Sequence, residues 1–341
     1  MKIGIMSDCH LGQYKFRKMQ GLFNKFELLN YNAFKEAIDK FQSLNLDEII
    51  IAGDMFDSPN PLMRSIKIAK DELAKITDAD IHIISGNHEH SMKNEMMDSN
   101  VIDSFIQQDN VFTYTNVENK YLSDEIAVSF VPYKFLTPET FNNLRQFISD
   151  SQQCKHILVM HGYVDFTKEH TNEDYALPVE VASLFDVVIC GHIHLQNIKK
   201  TKSLTVITPG SLMPSNQANG ENGVPSIYIY DTDSGEVETI NLKSSPKVLN
   251  LNIYNNINIK LEELTNIKYH DTIVNIKYFG NEEIDEKLYY NVLDNVLNLS
   301  LNSMKENVDI VEAAPVDKFW SYIKNHYSDY YQEFQELLRG D

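Results

Sequence analysis

Residues 187–196 read VVICGHIHLQ: four apolar residues, a glycine, then two histidines one residue apart. A short apolar run ended by glycine is consistent with a buried strand. In extended chain, residues two apart face the same side, so His192 and His194 are expected to leave one strand end towards one cavity. A single such pair means little, because a histidine at a strand end is more often a hydrogen-bonded packing residue. What decides the fold is whether other strands end in the same chemistry.

Four others do. IGIMSDCH ends a strand with Asp8 and His10, and EIIIAGDMFD ends one with Asp54, with Asp57 three residues later. IHIISGNHEH supplies Asn87, His88 and Glu89, and HILVMHG supplies His161. In open α/β sheets, ligands collect beyond the carboxyl ends of the strands. Glycines 53, 86, 162 and 191 suit backbones that pass close to one another or to an ion. The seven nitrogen and oxygen donors Asp8, His10, Asp54, Asn87, His161, His192 and His194 exceed what one metal requires. They suit two divalent ions sharing one carboxylate. Imidazole, carboxylate and amide without thiolate favours Mn2+ or Fe2+ over a structural Zn2+ site; Mn2+ is the leading expectation, with Mg2+ or Fe2+ as alternatives. Two ions about 3.5–4 Å apart form a clamp for in-line displacement at phosphorus and acidify a water.

The chain around these motifs has 341 residues, enough for about two domains on a scale of roughly 100–200 residues each. It is 43% hydrophobic and 23% charged, the profile of a soluble globular protein. No apolar run approaches the roughly 20 residues that span a bilayer, and MKIGIMSD has no signal-peptide pattern. Three cysteines, Cys9, Cys154 and Cys190, form no CxxC, so no disulfide framework is expected and a reducing cytoplasm is the default. All three read as buried packing residues. The net charge of −19 repels naked nucleic acid at long range. A nucleic-acid role therefore needs local positive charge, bound cations or a basic partner.

Residues 1–245 alternate β-rich runs with helix-period segments, of which 32–44 and 62–76 are the clearest. Strands are expected at 2–7, 48–52, 81–85, 126–131, 157–160, 187–190, 204–208 and 226–231. This alternation implies an α/β fold with sheets covered by helices; the later strands lack intervening helices, which points to a mixed sheet or a two-sheet sandwich. Ser244, Ser245 and Pro246 punctuate the pattern. Residues 246–313 then read as a small α+β unit, with a strand at 272–280, a helix over 283–299 and a closing strand at 308–313. In 314–341, Trp320, Ile323, Tyr327, Tyr330, Phe334 and Leu337 form a heptad stripe for packing against other helices. It is either internal or a docking surface for a partner.

The ordered set DxH, GDxxD, GNHE, H and GHxH, spanning residues 8 to 211 with VPY and TPGS, resembles the calcineurin-like metallophosphoesterase superfamily. Within it the chain resembles the SbcD-type double-strand-break repair nucleases and phage recombination endonuclease subunits. The resemblance implies a metallophosphoesterase core, a mixed β-sandwich flanked by helices, over 1–245. It also implies a capping domain over 246–313 and a C-terminal helix over 314–341 that binds an SMC-like, SbcC-type ATPase. One ion would be held by Asp8, His10, Asp54 and His194, the other by Asp54, Asn87, His161 and His192. His88 would act on the leaving oxygen. Glu89 stands where many members have Asp and would orient His88 through a longer arm. Asp57 stands where some relatives have His and would tune the site. Lys15, Arg17 and Lys18, with Lys199, Lys200 and Lys202, flank the motifs as candidate DNA contacts. A homodimer is implied, through helices starting near Leu62 and Val101, in the cytoplasm (the host's, for a phage protein). The expected activity is Mn2+-dependent duplex exonuclease and single-strand endonuclease in recombination, repair or replication. Its rivals are a phosphatase or cyclic-nucleotide phosphodiesterase with the same site, and a non-catalytic scaffold with a vestigial one.

Overall fold

The computed structural model describes residues 1–16, 18–20, 23–90, 100–105, 108–166, 176–214, 224–265 and 269–303. The principal elements run β1 (Lys2–Met6), α1 (Lys25–Gln42), β2 (Glu48–Ile51), α2 (Met63–Leu73), β3 (Asp80–Ile84), β4 (Val111–Tyr114) and β5 (Glu118–Ser123). There follow β6 (Ile126–Val131), α3 (Pro138–Asp150), β7 (Lys155–His161), β8 (Val187–Gly191), β9 (Asn197–Lys200), β10 (Thr205–Thr208), β11 (Ser226–Asp231) and β12 (Val237–Asn241). The last group is β13 (Lys247–Ile253), α4 (Ile257–Thr265), β14 (Tyr269–Tyr278), α5 (Glu286–Asn295) and β15 (Val296–Ser303).

Two six-stranded mixed sheets make the body, in the orders β12-β11-β1-β2-β3-β4 and β9-β10-β8-β7-β6-β5. β1 to β4 pair in parallel, as do β6, β7, β8 and β10; the outer strands β5, β9, β11 and β12 are antiparallel. The strand alternation explains the layering. Ile3, Ile5 and Ile50 meet Val128, Phe130, Val159 and Ile189 between the sheets. Met6, Ile49 and Ile51 point the other way, onto Phe34, Ala37, Ile38 and Phe41 of α1. Leu158, Met160, Val188 and Cys190 meet Phe141 and Leu144 of α3. Parallel strands buried on both faces read as unbroken apolar runs, which is what made them legible.

The third sheet, β13-β14-β15, is parallel and carries α4 and α5 around its own core, which includes Ile257, Leu261, Val274, Ile276 and Val292. Its Ile273 and Leu297 instead join the cluster beneath α1, and Lys25 pairs with Asp271 at 2.7 Å. The expected helix over 283–299 is corrected: it ends at Asn295, and Val296–Ser303 is a strand. Leu297, Leu299 and Leu301 alternate at period 2, a strand pattern. α1 begins at Lys25, earlier than 32, because Asn24 caps it by accepting from Glu27 N at 3.1 Å. Cys9 and Cys190 are buried, but Cys154 is only half-buried, next to the Asp124 carbonyl. The strand expected at 308–313, the segment 314–341 and the heptad residues Trp320 to Leu337 lie outside the described residues.

Candidate metal centre

The donor segments converge, but not by the pleat. β1 ends at Met6 and β8 at Gly191, and Asp8, His10, Asp54 and His192 all sit at left-handed backbone, with φ of 50°, 45°, 49° and 85°. Alternation along an extended chain is therefore not what turns the paired donors to one side. These three segments leave their strands through left-handed backbone, sparsely populated by non-glycine residues and found at functional sites, whereas His161 is the last residue of β7 itself. Backbone contacts hold the turns: Asp8 N donates to the Gly53 carbonyl at 3.1 Å and His10 N to the Asp54 carbonyl at 2.9 Å. At Gly53, Gly86 and Gly191 any Cβ would overlap His161, Asp54, or the Ala52 carbonyl and Ser7, so close approach requires glycine at these three.

On one side, His10 Nε2 lies 3.0 Å from His194 Nε2, and Asp8 Oδ1 lies 3.5 Å from His194 Nε2 and 3.9 Å from His10 Nε2. On the other, Asn87 Oδ1 lies 3.0 Å from His161 Nε2 and 3.1 Å from His192 Nδ1. Asp54 stands between them, its Oδ2 at 3.7 Å from His10 Nε2 and 3.3 Å from His161 Nε2. Asp8 and Asp54 are essentially buried, as are His10 and His161, while His194 is about a third exposed. Asp8, His10 and His194 form one group with metal-binding spacing; Asp8, Asp54 and His161 form another. A cleft of about 410 Å³ opens onto them, lined also by His88, Ile193 and Leu195.

The chemistry of the donors fits divalent cations. His161 Nδ1 donates to the Ala52 carbonyl at 2.8 Å, which leaves Nε2 facing two oxygens, from Asp54 and Asn87. A lone pair there is repelled unless a cation lies between. In the protein alone the ring meets the demand by holding a proton: burial pushes His161 down, but the Asp54 charge and hydrogen bond raise it to about 9. Burial likewise pushes Asp54 up, yet His161, His10 and His88 together hold it below the usual carboxylate range. A bound cation supplies that charge instead and inverts this logic. An imidazole whose second nitrogen is fixed by a carbonyl is the usual arrangement for a metal-binding histidine.

Glu89, expected to orient His88, meets the backbone of the site. Its buried carboxylate accepts from three backbone N–H groups, Asp54 at 3.2 Å, Phe56 at 2.8 Å and Gly86 at 2.8 Å, and so joins two donor loops without touching the His88 ring. Burial first, then the Asp54 charge, raises its pKa to about 7. His88 is oriented elsewhere: its Nδ1 donates to the Asp57 carbonyl at 2.9 Å and its backbone N to Asp54 Oδ1 at 2.9 Å. The Asp57 carboxylate lies closer to His10 Nδ1, at 3.2 Å, than to His88 Nδ1, at 4.0 Å. Sequence reasoning passed over Ser7, whose Oγ donates to Asp8 Oδ2 at 2.6 Å. It also left Tyr133 of VPY without a role, though the ring stands 6.4 Å from both His161 and His192. A serine beside a donor has no periodic signal that would have marked it.

The basic residues fare unequally. Lys18 donates to the carbonyls of Leu293, Asp294 and Val296 at the end of α5, so its charge serves the small sheet. Lys15 lies half-buried over the Phe26 ring, and burial lowers its pKa. Lys199 covers the Phe166 ring at 3.5 Å, Lys200 donates to the Gly235 carbonyl at 2.9 Å, and Lys202 is exposed. Arg17 lies outside the described residues.

The model of the calcineurin-like phosphoesterase superfamily domain matches residues 1–235. Two relatives, each named DNA double-strand break repair protein Mre11, are 24% identical to the chain. That of Methanococcus maripaludis covers 98% of this chain and 95% of its own, and that of Nanoarchaeum equitans 99% and 95%. A dimetal phosphatase from Danio rerio overlays 71% of this chain and 99% of its own with a TM-score of 0.46 at 12% identity.

Proposed function

This chain belongs to the calcineurin-like phosphoesterase superfamily, and on that premise we propose that it is a two-metal DNA nuclease acting in double-strand-break repair or recombination. The enzyme class is a metal-dependent phosphodiesterase. The observation that carries the nuclease reading is the extent of likeness: similarity to the repair proteins runs past residue 235 through the α+β unit, over 98% of the chain. A small-molecule esterase needs no such addition. The acidic charge of −19 favours the rival, a phosphatase or cyclic-nucleotide phosphodiesterase with the same centre.

In this reading Asp8, His10, Asp54 and His194 hold one ion, Asp54, Asn87, His161 and His192 the other, and Mn2+ suits the donors best. When bound, the ions would supply Lewis-acid charge for phosphoryl transfer and lower the pKa of a water. The chain's own residues do the rest. Asp54 stands between the two donor groups, near His10 on one side and His161 on the other, and Asn87 joins His161 to His192. The Asp57 carbonyl holds His88 Nδ1–H, turning Nε2 into the cleft. From there, protonated Nε2 hands its proton to the departing sugar oxygen. Ile193 and Leu195 give the cleft an apolar edge.

Expected partners are DNA ends, single strands and an SMC-like ATPase, with residues 314–341 as the docking segment, and a second copy of the chain. Leu62 and Met63, 51% and 77% exposed at the start of α2, support the dimer face. The test is cleavage of linear duplex, single-stranded DNA and a chromogenic phosphodiester with Mn2+ or Mg2+, with and without the cognate ATPase. Mn2+-dependent DNA cleavage is expected; hydrolysis of the small ester with no cleavage of either DNA overturns the nuclease reading.

A further inference from the structure

TPGS, residues 208–211, carries no role in the chemistry above, yet it ends against the centre. Ser211 is 5% exposed. Its Oγ donates to the Asp8 carbonyl at 2.9 Å, across 203 residues of chain, and its backbone N donates to the His194 carbonyl at 3.1 Å. The hydroxyl also accepts from Met213 N at 3.2 Å, so both its donor and its acceptor capacity are engaged. One residue thus grips the backbones of two donors that arrive from different sheets. Gly210 lets it do so. Gly210 has φ +76°, and a Cβ there would lie 2.8 Å from Gln196 N and 2.9 Å from the His194 carbonyl oxygen.

We propose that Ser211 is a positioning residue that sets the spacing of Asp8 and His194, and thereby the affinity for one of the two ions; this rests on the paired-ion reading above. The two donor groups differ in how they are otherwise held. His161 is fully buried and its Nδ1 is pinned to the Ala52 carbonyl. That anchor does not involve Ser211. His194 is about a third exposed at the cleft, so packing does not fix it, and its backbone carbonyl is tied to Ser211. Asp8 sits in a left-handed turn whose N–H is anchored on Gly53 and whose carbonyl is anchored on Ser211. Removing the hydroxyl frees one end of that turn and leaves a buried carbonyl without its donor. The loss falls on the Asp8, His10 and His194 side.

The experiment is calorimetric titration of the full chain with Mn2+ in wild type, Ser211→Ala and Ser211→Thr, beside thermal melting of the metal-free proteins. Wild type is expected to take up two ions. S211A weakens one step about tenfold, which is about 1.4 kcal/mol, and leaves the other within threefold. S211T keeps the hydroxyl and restores both steps. At two equivalents of Mn2+, the electron paramagnetic resonance spectrum of wild type is that of a coupled pair, whereas S211A shows isolated Mn2+. Unchanged affinities in S211A, a parallel fall of both steps, or a Thr variant as weak as the Ala variant overturns the proposal. A wild type that binds fewer than two ions overturns the paired-ion reading itself, and the role of Ser211 falls with it.

Discussion

His88 and Glu89 are neighbours in sequence with opposite tasks. His88 is 38% exposed at the cleft, while Glu89 is buried and holds three backbone N–H groups. His88→Ala should therefore lower phosphodiester cleavage about 10²–10⁴-fold, the usual scale for a positioned acid. Ion uptake measured by calorimetry should stay at two. Glu89→Ala should act on folding: three buried donors lose their acceptor, and unsatisfied groups cost about 1–3 kcal/mol each. A loss of roughly 3 kcal/mol in denaturant unfolding is expected, and a stability within 0.5 kcal/mol of wild type would refute the clamp. At this scale the sequence disclosed the types and order of the candidate donors, since histidine, carboxylate and amide recur at the strand ends. It did not disclose how the donors turn inward. Left-handed backbone at Asp8, His10, Asp54 and His192 depends on hydrogen bonds from distant loops, which no local pattern encodes.

Among the elements, the buried strands were the most legible; 126–131 and 226–231 have the expected bounds. Helix α3 was missed, although Thr137 caps it and Pro138 occupies its first turn. Its apolar side, Phe141 and Leu144, is short and sits among polar residues. α1 and α2 are joined by an ion pair that no spacing rule anticipates. Arg64 Nε and Nη2 each lie 2.7 Å from the carboxylate of Glu27, which is 1% exposed, and Tyr31 donates to the same carboxylate at 2.6 Å. Arg64→Met removes the counter-charge from a buried carboxylate, and losing one partner of such a pair costs about 3–5 kcal/mol. Arg64 is partly exposed, so the lower end, roughly 3 kcal/mol, is expected in thermal unfolding. An unchanged melting temperature would contradict it.

For the molecule as a whole, ions and fold are linked. If the buried donors hold two cations, Mn2+ at a hundred times its dissociation constant adds about 2.7 kcal/mol of stability per independent site. Chelation should thus lower the melting temperature and abolish cleavage together, and Mn2+ should restore both. A melting temperature indifferent to chelator and Mn2+ would count against the centre. The net charge of −19 makes a second expectation. Alone, the chain should bind duplex weakly and release it over a small rise in salt, and a basic partner should relieve this. Among the described residues no helix is long and apolar enough to cross a membrane.

Lys18 belongs to the loop that leaves His10, and it grips the last carbonyls of α5, while Ile273 and Leu297 seat the third sheet under α1. A force or ligand that displaces that sheet therefore pulls on the same short tether that carries two donors. Coupling of this kind runs both ways by thermodynamic necessity. Filling the centre should slow amide exchange along Val296–Ser303, and whatever lifts the small sheet should loosen the grip on the ions.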